Sequence, residues 1–192
     1  MRFQGYFRLI VLLAALCLPF AAAAAPAGTR LASSSARVYL PLLARTATVV
    51  SIEQRIVDLT NQQRRQQGCT VALVLSPQLS AAASAHSRDM ALHDLFSHTG
   101  SDGSTMISRA VAAGYSYSRL AENLSAGQST PEEVVAGWMN SPGHRSNMLN
   151  CALREIGVGY YEQPDDQSNV RLDSGEISGP YRHYWTQDFG AP

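Results

Sequence analysis

The chain has 192 residues, 45% hydrophobic and 16% charged, which fits one ordinary globular domain and excludes a disordered or coiled-coil chain. Its 15 basic residues, all arginine, are matched by 15 acidic ones, for a net charge of zero. No basic patch dominates, so nucleic acid is excluded as a partner.

Residues 1–25 read as a secretory signal. Arg2 and Arg8 form the basic start, Leu9 to Phe20 the apolar core, and Ala21 to Ala25 the small residues of a cleavage site. The apolar core is short for a membrane span, so a membrane is reached only through an uncleaved signal segment. Export places the mature chain outside the cell or in the cell envelope, and loss of Arg2 and Arg8 leaves it a net charge of about −2. Residues 26–50 are rich in Ala, Ser and Thr without a sustained period and read as a flexible linker. The apolar patch Val38 to Leu43 interrupts it, where Pro41 argues against a central strand.

The folded domain spans 51–192. Ser51 and Gln54 match a capping box, and Ile52, Ile56 and Leu59 follow at helical spacing up to a stop at Gly68. Ser76-Pro77 opens a second helix, whose stripe runs through Leu79, Ala82, Ala83, His86, Met90 and His93. After a turn at Thr99 to Gly103, a third helix runs from Ser104 to Ala113 and ends at Gly114. Thr130-Pro131-Glu132-Glu133 opens a fourth helix through Trp138, and Ser141-Pro142 a short capped fifth. Beyond Arg154 the texture changes. Ile156, Val158 and Tyr160 alternate with glycines, Val170 and Leu172 suggest a second strand, and Tyr181 to Phe189 reads as the last. Helices first and an antiparallel sheet last define an α+β domain, with helices on both faces of the sheet.

With Cys17 in the signal segment, Cys69 and Cys151 remain. An even pair in an exported chain favours a disulfide over two buried thiols. Such a bridge closes a loop of about 80 residues and contributes about 4 kcal/mol in the chain-entropy model.

Three side chains stand out for chemistry. His98 follows Phe96-Ser97 and leads into a turn, where a histidine is rarely core. His144 sits in the first turn of the fifth helix, where free N–H groups and the local dipole favour a neutral ring or an anionic ligand group. Glu122 lies in the apolar run Leu120-Ala121-Glu122-Asn123-Leu124, and a buried carboxylate needs a partner: an imidazole, a metal, a helix end or Arg119. By contrast, His86 and His93 read as half-buried packing residues and His183 as a sheet-surface residue. No local His-Glu-x-x-His motif and no Gly-x-Ser-x-Gly elbow is present.

The motifs in register resemble the CAP superfamily, also called SCP/PR-1-like, with a bacterial YkwD-like branch. In order they are Leu79-x-x-x-Ala83-x-x-His86-Ser87-x-Asp89-Met90-Ala91, Phe96-Ser97-His98 before Asp102-Gly103, and Ala113-Gly114-Tyr115. Ala121-Glu122-Asn123-Leu124, Thr130 to Val135 and Trp138 to Arg145 follow, then Ile156 to Tyr160 and Tyr184-Trp185-Thr186-Gln187-x-Phe189-Gly190. The resemblance covers residues 51–190. It implies a three-layer α-β-α sandwich with a central antiparallel sheet. It also implies a cleft whose histidines and acidic residues can hold a divalent metal, often zinc. By residue match, His98, Glu122 and His144 are the implied metal ligands, and Asp102, Asn123, Arg145 and Tyr184 the implied cleft lining. In the animal and plant branch a histidine precedes Tyr-Thr-Gln in the last strand; here Tyr184 stands in that place. Two imidazoles and a carboxylate suit Zn²⁺ at about 2.0–2.2 Å, with water completing the shell. Three functions are compatible with that cleft. The first is an exported module binding a small molecule, lipid or other amphiphile, cell-envelope component or divalent metal. The second is a metal-dependent hydrolase, peptidase or esterase, and the third a structural or adhesive secreted domain.

Overall fold

The computed structural model describes residues 50–192; the signal segment and the linker up to residue 49 lie outside the described residues. The elements are, in order, α1 (Ile52–Gln66), β1 (Val74–Leu75), α2 (Pro77–Leu92), β2 (Leu95–Phe96), α3 (Met106–Ala112), β3 (Arg119–Ala126), α4 (Pro131–Asn140), α5 (Pro142–Met148), β4 (Glu155–Glu162), β5 (Val170–Leu172), β6 (Ile177–Ser178) and β7 (His183–Ala191). The helix starts follow their cap chemistry. Ser51, Ser76, Thr105 and Thr130 each accept a backbone N–H of the first turn, and Thr130 with Glu133 completes a capping box. At α1 only half of the expected box forms, because the Gln54 amide donates to Asp58 instead. The fifth helix lacks its expected side-chain cap: Ser141 makes no such bond, and Pro142 starts the helix by fixed φ.

The main sheet has the order β1-β4-β7-β3, with β4-β7-β3 antiparallel and β1 added parallel to β4. Helices α1, α4 and α5 cover one face. There Ile56, Val57, Val134, Val135, Trp138 and Met148 pack on Ile156, Val158, Trp185 and Phe189. Helix α2 covers the other face. Gly157 and Gly159 are what allow it so close, since a Cβ on Gly157 would collide with the Leu79 backbone and one on Gly159 with the Ala83 carbonyl. The Ser87 hydroxyl fixes the approach, donating to the Gly159 carbonyl (3.1 Å) and pairing with the Thr186 hydroxyl (2.9 Å).

Helices on both faces of a sheet give the expected α-β-α sandwich. Two details differ from the sequence reading. The run around Glu122 is strand β3, which sits between helices in the chain and forms an edge of the sheet; a buried Asn123-Leu124 beside polar neighbours hid its period. Its outward carbonyls are closed by helices, Trp138 donating to Leu124 O (2.9 Å) and Asn147 to Glu122 O (3.2 Å). The strand at Val170 to Leu172 leaves the main sheet and pairs instead with β2 and β6 in a small second sheet. Cys69 and Cys151 form a disulfide across 82 positions, with Cα atoms 5.4 Å apart. Beside it, fully buried Arg64 donates to the carbonyls of Met148, Asn150 and Leu153, so α1 and the turn after it hold the end of α5 and the segment that follows by a covalent bond and by hydrogen bonds.

Candidate functional site

The site is assembled at the β3 edge. Glu122 projects from β3, where its side chain is 3% exposed. One carboxylate oxygen accepts from His98 Nδ1 (2.7 Å), and the other from Arg109 on α3 (2.7 Å). Arg109 is itself buried and also donates to the carbonyls of Ser104 and His98. His98 sits just after β2. It is held by its own carbonyl and by that of Ser97, which accepts from His86 Nε2 (2.9 Å). His86 is wholly buried with that one hydrogen bond, close to the packing role expected of it, whereas His93 is exposed and pairs with Asp89.

His144 comes from the other side of the edge strand. Asn123 donates to the His144 carbonyl (3.1 Å) and to Gln187, while Asn147 donates to Asn123 Oδ1 (2.9 Å). Gln187 continues the chain to Thr60 of α1 (2.9 Å). Every polar atom of Asn123 is thereby satisfied, which fixes α5 against the sheet.

His98 and His144 line one hollow of about 260 Å³, with Phe96, Leu124, Leu172 and Asp173 among its walls. On its far side His98, with Glu122, also lines a second hollow of about 330 Å³ that includes Met106 and Ile107. The two hollows share His98 and make up the cleft. Of the expected lining, Asn123 and Tyr184 are fully buried behind it; the Tyr184 hydroxyl donates to Asp166 (2.9 Å). Arg145 turns toward the Met139 carbonyl, and Asp102 borders a separate hollow between α2 and α3.

Two partners of Glu122 had no visible signal in the pattern around it. Arg109 lies in a helix of only seven residues, too short for a periodic pattern to mark it. Asp188 stands directly opposite Glu122 in the β3–β7 register and is 1% exposed. A carboxylate within a strand of buried residues was a signal that could have found it. Adjacent buried carboxyls do not both ionise. Burial, and then the Glu122 charge, raise the Asp188 carboxyl well above its ordinary range, so it keeps its proton. For Glu122 burial works upward, but the His98 hydrogen bond and the Arg109 charge outweigh it and keep the carboxylate below its usual value. The Glu122 hydrogen bond raises His98 above an ordinary histidine, against the opposing effect of burial. Burial, and then the charge of His98, lower His144. The cleft therefore sets a ring whose charged form is favoured, His98, beside one whose neutral form is favoured, His144.

This donor set does not fit a metal centre with three protein ligands. Both Glu122 oxygens are taken, one of them by a guanidinium that repels a cation. Among the described residues no group of three His, Cys, Asp or Glu side chains is close enough to hold an ion.

Comparison with known proteins agrees with the fold. The sequence model of the Cysteine-rich secretory protein family, CAP, matches residues 57–189. The protein YkwD of Bacillus subtilis (strain 168) is 38% identical over 143 residues, covering 74% of this chain and 48% of that protein. The membrane protein YlbC of the same organism is 31% identical over 115 residues, 58% of this chain and 33% of that one. The chain thus spans half or less of these curated relatives. Among solved structures, an extracellular SCP-domain protein from Bacillus anthracis str. Ames superposes with a TM-score of 0.59 at 28% identity, covering 73% of this chain and 40% of that one. An outer surface protein from Borrelia burgdorferi shares the fold alone, with a TM-score of 0.55 at 19% identity over 70% of this chain and 88% of that one.

Proposed function

Because the chain belongs to the CAP, or cysteine-rich secretory protein, family, we propose that it is an exported binding module whose cleft takes a small amphiphile with an anionic head group, such as a lipid or other cell-envelope component. Export is supported by the secretory pattern of residues 1–25 and by the likeness to an extracellular protein. Among the described residues no helix is long and apolar enough to cross a membrane.

One observation carries the ligand class: His98, whose Nδ1 is held by the buried Glu122 carboxylate, shares a hollow with His144 between the apolar walls Phe96, Leu124 and Leu172, with Asp173 at its rim. Charge-assisted hydrogen bonds favour a carboxylate or phosphate head there, and the apolar walls favour a hydrocarbon tail. Metal-dependent hydrolysis draws less support, since the Glu122 oxygens are already engaged. A purely structural role leaves the cleft's charge pairing without a purpose.

Titration of the protein with decanoate, and with decanol as the uncharged control, tests the reading by calorimetry. Decanoate will bind about tenfold or more tighter than decanol, the worth of one charge-assisted hydrogen bond. His98→Ala will remove that preference. The sign with pH follows from the raised His98 value: the preference is present while the ring is charged and is lost as pH rises through its pKa, above about 6.5. Equal affinity for decanol and decanoate, or a preference unchanged in His98→Ala, would contradict the reading.

A further inference from the structure

A separate hollow of about 480 Å³ opens between α2 and α3, larger than either hollow of the cleft. His86 and Arg109 both contribute to its lining. Each also carries a buried nitrogen with no hydrogen-bond partner among the described residues: Nδ1 of His86 and Nε of Arg109. A buried polar atom left unpaired is costly, and two along one hollow need an explanation.

The protonation of both atoms is fixed. The Arg109 Nε–H can only donate. His86 Nε2 faces the Ser97 carbonyl, which can only accept, so Nε2 carries the proton and Nδ1 presents a lone pair. A hydroxyl can accept from the one and donate to the other. A carboxylate or phosphate dianion would satisfy Arg109 and oppose the His86 lone pair; an ammonium would do the reverse. Arg88 and Arg109 at the lining are matched by Asp89 and Asp102, so neither sign of ion is favoured. The volume is many times the ~30 Å³ share of one water and lies within the ~300–1,000 Å³ range of small-molecule sites.

We infer that the α2–α3 hollow is a second ligand site, distinct from the cleft, for a neutral polyhydroxylated ligand of monosaccharide size. Both nitrogens lie behind the lining surface, and admitting the hydroxyl requires α3 to shift; on it only Ala110 and the Arg109 side chain are buried. Arg109 ties the two sites together, since its Nη2 atom holds Glu122 and the His98 carbonyl.

The test is NMR of the purified protein with glucose and with N-acetylglucosamine, read by saturation transfer to the sugar and by the Arg109 Nε–H resonance. Sodium phosphate and sodium acetate serve as comparators. Binding of at least one sugar in the millimolar range, with a shift of the Arg109 Nε–H, is expected. Ala85→Trp and Ala112→Trp replace exposed alanines of the hollow and leave the core intact, so they should weaken sugar binding by about tenfold or more without changing decanoate binding in the cleft. No response to either sugar at tens of millimolar would overturn the inference. So would a shift caused by phosphate or acetate instead, or sugar binding that survives both tryptophan variants.

Discussion

Arg109→Met will destabilise the folded domain by about 3–5 kcal/mol at pH 7, the usual cost of leaving one member of a buried ion pair uncompensated. The side chains of Arg109 and Glu122 are only 8% and 3% exposed, and after the His98 hydrogen bond their 2.7 Å contact is the main charge that keeps Glu122 ionised next to Asp188. The sign with pH is definite. In the native chain Glu122 titrates below its ordinary value, so the pair's contribution is present above the unfolded pKa of about 4.3 and is lost as pH falls toward the folded value. In Arg109→Met, burial raises the Glu122 carboxyl, and the penalty appears at neutral pH and fades toward pH 4. Urea unfolding at both pH values measures the difference. The double variant Arg109→Met/Glu122→Gln should regain most of the loss, because it removes the orphaned charge together with its partner. A loss below about 1 kcal/mol, or one independent of pH, would mean that the pair behaves as an exposed one.

Gly159→Ala will cost about 3 kcal/mol, the upper end of what one added methyl does in a packed core. The new Cβ would meet the backbone of Ala83, not the end of a flexible side chain, so α2 itself must lift from the sheet. Thermal unfolding should fall by about 10 °C. Gly137→Ala is the matched control. It lies in α4 with open space around the added Cβ, and there alanine should stabilise by about 0.5–1 kcal/mol through the unfolded chain. The consequence reaches the cleft as well. His86 rides on α2 and holds the Ser97 carbonyl, so a displaced α2 loosens the segment that carries His98. Unfolding temperatures for the two glycine variants that coincide would contradict the close-approach argument.

The helices were legible because their signals are local: Ser76-Pro77, Thr130-Pro131 with Glu133, and glycines at the stops. Strand β3 was not, because its identity comes from pairing with β7, more than fifty positions later in the chain, and from an edge closed by Trp138 and Asn147. The site divides in the same way. His98, Glu122 and His144 were found through family motifs, and the structure brings His98 and Glu122 into contact and His98 and His144 into one hollow. Asn123 matched a motif yet serves behind the cleft, because a motif records which residues matter and not which way they face. Arg109 and Asp188, which set the charge of Glu122, are 13 and 66 positions away from it. Their role follows from one α3 turn and one register pair, neither of which leaves a periodic trace.

Recognition of an anionic head group in the cleft requires His98 to be held as an imidazolium by buried Glu122 beside a neutral His144. Nitrogen-detected NMR titration of the histidine rings reads this directly. His98 should titrate above about 6.5 and His144 below it, and Glu122→Gln should bring His98 down while Nδ1 loses its carboxylate partner. A His98 that titrates at or below His144, or that does not move in Glu122→Gln, would contradict the account.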